Sequence, residues 1–273
     1  MQTNAILRQA QEVRCGRCAA RKFGFCSTLH ADSQREILSR SSLTTYARGA
    51  EIVQQGEPLD RIGLIASGVI KVGTVTKGGD EHLLQIMRRG QLVYVPDSAG
   101  SLFSWVTASE AAVCWMSRSA WDSFLKEQPS HFHAYMVTMR QQLEQMQLSV
   151  MNMRGRNTLQ RLAFWLLEEL ADADAGEQRK LHILLSRRDL ASLLDMTVET
   201  LCRSLRQLND KGAIRLLTPD RIEVTDLSRL RLIARCNEDG IGRGVTSLPP
   251  ALPHRSWANR NDTPAKTARP DAG

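Results

Sequence analysis

The chain has 273 residues, of which 42% are hydrophobic and 24% are charged, a composition typical of a globular protein with room for two domains. Its formal net charge of +7 is compatible with a polyanionic partner but is too small to establish one. The sequence has no apolar run of about 18 residues and no apolar N-terminal signal region, so it predicts neither a membrane span nor secretion. We therefore expect a cytoplasmic protein, in which six cysteines favour metal binding or redox chemistry over a disulfide framework.

Residues 1–30 form a cysteine-rich segment in which Cys15, Cys18 and Cys26 follow the spacing C-x2-C-x7-C. Thiolates are soft ligands that suit zinc or iron–sulfur clusters. Because such a site normally takes four ligands, a fourth must come from elsewhere in the chain, and Cys114 is the leading candidate. The alternative for Cys114 is a small buried hydrophobic residue.

Residues 31–118 are predicted to form one domain, in which residues 42–118 contain many short strand-like stretches separated by glycines. Short strands at spacings of about 8–12 residues are typical of a β-sandwich or a β-barrel. Such a β-roll can hold a ligand or serve only as a scaffold. The sequence KGGD at residues 77–80 is interpreted as a hairpin turn or, in an activator, as a contact with RNA polymerase.

Residues 119–153 change to a helical period, with apolar residues at alternating steps of three and four. This heptad pattern predicts a long helix that pairs with its copy in a homodimer. The alternative is an amphipathic helix that packs on its own domain. Methionine is flexible and specifies packing weakly, so such a dimer would be marginal and adjustable. The predicted dimer contacts are Met136, Met139, Leu143, Met146, Val150 and Met153.

Residues 154–236 predict a DNA-binding domain of the winged helix-turn-helix type. Within residues 185–212, Ser186 is placed to cap a first helix, Thr197 to cap a second helix, and Gly212 to end it. Two apolar runs around residues 218–220 predict the β-hairpin that forms the wing. Residues 237–273 contain five of the nine prolines and are predicted to be a disordered tail.

The second helix of this domain has an apolar stripe and a separate polar face with Glu199, Cys202 and Arg203. In a helix-turn-helix this face enters the major groove, where an arginine can donate two hydrogen bonds to guanine and a glutamate can accept one from cytosine. The alternative is an ordinary pair of helices with a solvated charged face. Residues 179–215 carry eight Lys or Arg against four Asp or Glu, which favours DNA. The other predicted DNA contacts are Thr197, Thr200, Arg206, Ser186 and Arg187.

The order of a cysteine cluster, a β-roll, a long helix and a winged helix resembles the Crp/Fnr family of bacterial transcription regulators over roughly residues 15–235. The sequence TVETLCRSLRQL at residues 197–208 is similar to the recognition helix of that family. The resemblance implies an α+β fold with a jelly-roll β-roll of the cyclic-nucleotide-binding type, and a homodimer on a two-fold symmetric site in double-stranded DNA. Fnr proteins normally have serine at the position of Cys202, and some FixK-type members have cysteine.

The resemblance also implies a sensor. Fnr-type oxygen sensors hold a [4Fe-4S] cluster on three N-terminal cysteines and one from the β-roll, here Cys15, Cys18, Cys26 and Cys114. The x7 spacing is similar to that of the FnrN/FnrL subgroup. Relatives that bind cyclic AMP have Gly-Glu-Leu followed by Arg-Ser, whereas this chain has Gly90-Gln91-Leu92 and no arginine in residues 99–107. We therefore expect an oxygen-responsive regulator that does not bind a cyclic nucleotide.

Three alternatives differ from this interpretation. The four cysteines could hold a structural zinc, in which case sensing would come from elsewhere, for example from oxidation of Cys202 on the DNA-binding helix. An enzyme is not expected, because the six histidines are scattered and the sequence has no nucleophile elbow or phosphate-binding loop. A purely structural protein would leave the capped second helix and its polar face unexplained.

Overall fold

The structure is a computed structural model that describes residues 18–76, 78, 81–94, 100–172 and 179–236, all of them within one compact unit. Cys15, most of the loop at 77–80 and the predicted tail at 237–273 lie outside the described residues. No helix in the described ranges is both long enough and apolar enough to cross a membrane.

The described chain begins with short helices that cover one side of the β-roll. A single 3-10 turn, Ala19–Lys22, leads into the one-turn helix α1, Gly24–Ser27, and the longer helix α2, Ala31–Arg40. Phe25 is fully buried and contacts the ring of Trp121 with 5.0 Å between the ring centroids. The side-chain amide of Gln34 on α2 donates to the backbone oxygen of Cys26 at 2.6 Å. We refer to residues 18–27 as the cysteine segment.

The β-roll consists of two antiparallel four-stranded sheets in the orders β1-β8-β3-β6 and β2-β7-β4-β5. Their inner faces enclose a core to which two tryptophans, Trp105 and Trp115, contribute. The mixed fold with an N-terminal β-roll confirms the predicted fold class. The strands are β1 Ser42–Tyr46, β2 Glu51–Val53, β3 Arg61–Ser67, β4 Ile70–Val75, β5 Glu81–Met87, β6 Leu92–Val93, β7 Ser104–Thr107 and β8 Ala111–Ser117.

The helical region after the roll is divided into α3, Arg118–Glu127, and the long helix α4, Pro129–Gly155, rather than forming one helix. The break lies at Gln128, whose φ of −142° and ψ of 134° are extended. A residue before proline is disfavoured in helical conformation, and proline is favoured at the first position of a helix, so Pro129 both ends α3 and begins α4.

The C-terminal domain has the winged helix-turn-helix arrangement that the sequence predicts. Helix α5, Thr158–Asp172, packs against α7, Val198–Asp210, and the last helix α8, Leu227–Ala234. A three-stranded sheet in the order β10-β11-β9 forms the wing. The remaining elements are β9 Lys180–His182, α6 Arg187–Leu193, β10 Ile214–Thr218 and β11 Arg221–Val224.

The C-terminal domain is docked on the β-roll of its own chain. Val69 and Ala108 of the roll are buried in the same apolar cluster as the core of the C-terminal domain. The ammonium group of Lys71 is 2.9 Å from a carboxylate oxygen of Asp189 on α6. The backbone N–H of Leu83 donates to the hydroxyl of Ser192 at 2.9 Å. The roll therefore contacts the first helix of the helix-turn-helix through both apolar and polar groups.

Candidate functional site

The two helices of the helix-turn-helix begin at the residues that the sequence predicts. The Ser186 hydroxyl accepts a hydrogen bond from the backbone N–H of Asp189 at 3.0 Å, and the Thr197 hydroxyl accepts one from that of Thr200 at 3.2 Å. Such caps satisfy backbone donors that the helix leaves unpaired. Gly212 follows the second helix with a φ of +67°, as expected for a helix stop. These features confirm the local boundaries of the unit.

The turn between the two helices is held by a residue that the sequence analysis missed. Asp195 has a φ of +51°, which a non-glycine residue seldom adopts. The guanidinium of Arg161 on α5 donates to the backbone oxygens of Leu194 and Asp195 at 3.2 Å and 3.1 Å. Its Nε donates to the backbone oxygen of Arg156 at 3.0 Å. Arg161 thus fixes the turn that sets the angle between α6 and α7.

The second helix, α7, presents a polar face to solvent. Leu201, Leu205 and Leu208 are buried against the domain. On the opposite side Glu199 and Arg203 are exposed. Of the other side chains predicted to contact DNA from this helix and its cap, Thr197 and Arg206 are exposed, and Thr200 and Cys202 are half-buried.

The charges of this face are matched to base recognition. Hydrogen bonds from its own backbone N–H and from the Thr197 hydroxyl lower the pKa of Glu199, so this side chain is a carboxylate at neutral pH. A carboxylate can only accept hydrogen bonds, and the guanidinium of Arg203 can only donate them. The face therefore carries one acceptor and one double donor, one turn apart, and groups of these kinds can accept from cytosine and donate to guanine in a major groove.

The first helix and the wing are linked to each other. Ser186 is exposed and half-buried Arg187 donates from its guanidinium to the backbone oxygen of Pro219 at the tip of the wing. A hydrogen bond from the Thr218 hydroxyl lowers the pKa of Asp220 in that tip, and a bond from His182 adds to this effect. Arg187 therefore orients the wing, and its predicted contact with DNA stays a prediction, as does that of Ser186.

The predicted dimer contacts lie along α4. Met136, Leu143, Met146 and Val150 are each about half exposed, although they are apolar. An exposed apolar stripe of this length on one helix is typical of a surface that pairs with another chain. The other two positions, Met139 and Met153, are half-buried and pack against the apolar clusters of their own chain.

One arginine, Arg156, lies in the short connection between α4 and α5 and bonds to α4 and to the last helix, α8. Arg156 has an extended backbone, and its guanidinium donates to the backbone oxygen of Ala234 at 2.8 Å and to the side-chain oxygen of Asn152 at 2.9 Å. It also lies 3.7 Å from the sulfur of Cys236 and over the ring of Phe164 at 4.3 Å. Arg156 therefore joins the end of the long helix to the last helix of the DNA-binding domain.

Three of the four predicted cysteine ligands lie in the described part of the chain, and each is half-buried. Cys18 precedes the 3-10 turn, Cys26 is on α1, and Cys114 is on the central strand β8. Cys26 and Cys114 pack against the same apolar cluster. Among the residues that the structure describes, no three or more His, Cys, Asp or Glu side chains form a group arranged to hold a metal ion.

Among the histidines that the structure describes, His131 is the one that is fully buried, and it has a structural role. His131 on α4 is bonded through Nδ1 to the backbone oxygen of Phe124 and through Nε2 to the hydroxyl of Ser33, both at 2.8 Å. Its ring stacks on that of Phe124 with centroids 3.9 Å apart. Both ring nitrogens are used, so His131 joins α2, α3 and α4 rather than binding a ligand.

A DNA-reading domain, a β-roll and a long helix with an exposed apolar stripe together define a DNA-binding transcription regulator. The chain matches the models of a cyclic nucleotide-binding domain over residues 43–128 and of a Crp-like helix-turn-helix domain over residues 160–233, which together span more than half of it. It belongs to the Crp/Fnr family of transcription regulators, whose members are not enzymes.

Several transcription regulators match most of the length of this chain at low sequence identity. It is 24% identical over 220 residues to a probable transcriptional activator of Rhizobium leguminosarum. The aligned residues make up 80% of this chain and 92% of the relative. It is 20% identical to the transcriptional activator protein FnrL of Cereibacter sphaeroides over 236 residues, which covers 83% and 94%. The structure of FixK2 from Bradyrhizobium japonicum superposes with a TM-score of 0.65 at 18% identity, covering 71% of this chain and 96% of FixK2.

Proposed function

We propose that this chain is an oxygen-responsive regulator that holds a [4Fe-4S] cluster on Cys15, Cys18, Cys26 and Cys114. The observation that carries the proposal is that Cys26 and Cys114, which are far apart in sequence, pack against one apolar cluster. The likeness to FnrL and the N-terminal cysteine spacing support it.

The donor set fits such a cluster in its chemistry, because four thiolates are its usual ligands. Cys114 has a fixed place on a central strand, whereas Cys18 and Cys26 lie on short elements whose positions depend on packing. Because the described cysteines do not form a ready-made group, the cysteine segment has to close around the metal. An iron–sulfur cluster held there would supply a bridge between segment and roll that dioxygen destroys.

The response of the chain is a change in pairing. When the cysteine segment is held against the roll, α4 is supported on one side by α1 and α3, and its apolar stripe is free to meet a second copy. When the segment is released, the flexible methionines of the stripe form a weaker dimer. A change from mostly dimer to mostly monomer needs only a few kcal/mol of differential stability.

The dimer presents two copies of α7 to two half-sites in double-stranded DNA. Arg203 and Glu199 would read base edges, with Cys202 between them, while Thr197, Thr200 and Arg206 lie at the margin of the same face. A monomer contacts one half-site only, so its affinity for the full site is far lower. We expect the chain to act as an activator, as two relatives are named, and we propose that it does so in contact with RNA polymerase.

We also propose that the roll binds no cyclic nucleotide. Its core includes the side chains of Trp105 and Trp115, which are only 6% and 3% exposed and occupy the space between the two sheets. The indole N–H of Trp115 donates to the hydroxyl of Tyr46 at 2.9 Å, so this ring is fixed in place.

The decisive experiment is anaerobic purification of the full chain, with analysis of iron, sulfide and zinc. We expect a brown protein with equal iron and sulfide, which loses colour, dimer and DNA binding in air. Cys114→Ser should abolish the colour, and the matched control Cys236→Ser should keep it. A colourless zinc protein, or equal DNA affinity before and after air exposure, would overturn the proposal.

A second candidate is thiol control through Cys202, which is half-buried on α7 one position before exposed Arg203. Oxidation would place bulk and charge against the DNA and should weaken binding. Peroxide treatment of wild type and Cys202→Ser separates the two mechanisms. If the variant loses peroxide sensitivity but the wild type has no cluster, control lies at Cys202.

A further inference from the structure

One turn of the β-roll contacts all three functional parts of the chain. Residues Arg88–Leu92, which we call the relay turn, connect β5 to β6. The turn is stiffened internally, because the backbone N–H of Arg88 donates to the side-chain oxygen of Gln91 at 2.7 Å. Its three sets of outside contacts go to the cysteine segment, to the long helix α4, and to helix α5 of the DNA-binding domain.

The contact with the cysteine segment is a close approach of two backbones. The N–H of Phe25 donates to the backbone oxygen of Gly90 at 3.1 Å. A Cβ atom on Gly24 would lie 1.9 Å from that same oxygen, and one on Gly90 would lie 2.7 Å from the backbone carbon of Phe23. The guanidinium of Arg89 covers the ring of Phe23 at 4.3 Å. The two backbones are in direct contact, so departure of the segment removes a hydrogen bond and a packing partner from Gly90.

The contact with the long helix is made by two glutamines. The backbone N–H of Leu92 donates to the side-chain oxygen of Gln142 at 3.2 Å, and the amide of Gln142 returns a bond to the backbone oxygen of Leu92 at 3.5 Å. The side-chain N–H of Gln91 donates to the side-chain oxygen of Gln145 at 2.7 Å. Gln142 directly precedes Leu143 of the predicted dimer stripe, so these bonds hold α4 at its pairing surface.

The contact with the DNA-binding domain is an ion pair. The guanidinium of Arg88 is bonded to the carboxylate of Glu169 on α5, and both side chains are less than a quarter exposed. Partial burial weakens solvent screening, so this pair is stronger than an open surface pair. The same five residues therefore also reach the domain that reads DNA.

We propose that the relay turn transmits the state of the cysteine segment to α4, with Gln142 and Gln145 as positioning residues. The proposal rests on the proposed function only in taking the cysteine segment as the sensor. Release of the segment frees Gly90, the turn shifts, and the hydrogen bonds to the two glutamines are lost. The angle of α4 at its pairing surface then changes.

A second route runs beside this one, because Phe25 and Tyr135 of α4 both pack with Trp121 in one apolar cluster. The experiment must separate the polar route from the apolar one. The double variant Gln142→Met/Gln145→Met keeps side-chain size and removes the hydrogen bonds. The matched control is Gln147→Met, which makes the same exchange at an exposed position on the same helix.

The first measurement is the dimer dissociation constant of the anaerobic full chain before and after air exposure, by analytical ultracentrifugation. We expect a change of about tenfold or more for wild type and Gln147→Met, in the usual range of coupling between two sites. The double variant should keep its colour and change less than about threefold. If it responds to air as the wild type does, the apolar route carries the signal and the relay is disproved.

The second measurement uses reciprocity, since any coupling acts equally in both directions. The rate of alkylation of Cys26 by iodoacetamide is followed in reduced, metal-free full chain at concentrations above and below the dimer dissociation constant. Dimerisation should slow alkylation in the wild type and not in the double variant. If the wild type does not respond to air, oxygen sensing is disproved, and the alkylation measurement still tests the relay. The relay is disproved if the alkylation rate depends on concentration equally in the wild type and the double variant.

Discussion

The helix-turn-helix and the cysteine segment are held in place by different kinds of interaction. In residues 186–212 each helix starts at a side-chain cap and packs leucines into its own core. In residues 18–27 neither short helix has a side-chain cap. The residues at their N-cap positions, Cys18 and Phe23, make no capping hydrogen bond through their side chains. The first unit is encoded locally, and the second depends on distant contacts with Gly90, Gln34 and Trp121.

This difference is suited to a regulator. A DNA-reading unit has to keep one geometry, and caps with a local core give it that. The segment that we propose as the sensor would have to exist in two states, and its short elements are of a length that does not persist alone. The three predictions that follow test this comparison in order of decreasing effect.

The largest effect is expected for Gly24→Ala. Gly24 has a φ of +51° and no space for a Cβ atom beside Gly90, whereas Gly49 has a φ of +82° and nothing within 4 Å. Gly49→Ala should therefore cost only the strain of a left-handed residue, about 1–2 kcal/mol. Gly24→Ala adds an overlap with backbone, so the cysteine segment should leave the roll. Amide hydrogen exchange at Phe25 measures this, and unchanged protection there would contradict the close approach.

A smaller effect is expected for Arg203→Ala, which removes a double donor from the polar face of α7. Binding to the specific DNA site should weaken by about 1–3 kcal/mol, with no change in the free energy of unfolding. The control Arg35→Ala removes the same charge from an exposed site on α2 and should leave DNA affinity nearly unchanged. Loss of folding stability in Arg203→Ala would show that this side chain supports the domain rather than reading DNA.

The smallest effect concerns pH and the docking of the DNA-binding domain on the roll. Burial raises the pKa of Asp189, but hydrogen bonds from Lys71 and Ser186 lower it more, so the group ionises below its usual value of 3.8. A carboxyl group with a lowered pKa in the folded state stabilises above about pH 4 and loses that stability as the pH falls through the folded pKa.

Lys71→Met should therefore reduce the loss of stability between about pH 4 and lower pH, by at most about 1 kcal/mol. Urea unfolding at several pH values measures the slope. The control Lys126→Met removes an exposed charge from α3 and should keep the wild-type slope. An identical slope in Lys71→Met would mean that Asp189 is not held by this ion pair in solution.

Local patterns in the sequence were enough to predict the helix-turn-helix, because caps, stops and apolar stripes involve residues within a few positions of one another. Ser186, Thr197 and Gly212 all behave as their types indicate. The division at Pro129 had a signal too, since proline disfavours helix in the residue before it. Strand β1, Ser42–Tyr46, had only the strand preference of Thr44, Thr45 and Tyr46, and its pairing with β8 had no local signal.

The contacts that join the parts of the chain could not be predicted from the sequence. Arg161, Arg88 and Gln142 bond to groups that are 33 to 81 positions away. Such side chains have no period, and their types are common on any surface. The cysteine ligands were predicted from spacing and resemblance, and the structure adds a shared apolar cluster for Cys26 and Cys114.

The length of α4 has a mechanical consequence. A helix of 27 residues spans about 40 Å, so a tilt of about 5° at one end displaces the other by about 3.5 Å. That displacement is about the rise of one base pair, about 3.4 Å. Arg156 joins the end of α4 to the DNA-binding domain. A small change in the angle of α4 therefore becomes a larger displacement of that domain. In the dimer that we propose, a tilt of this size would shift each copy of α7 by about one base pair relative to its half-site.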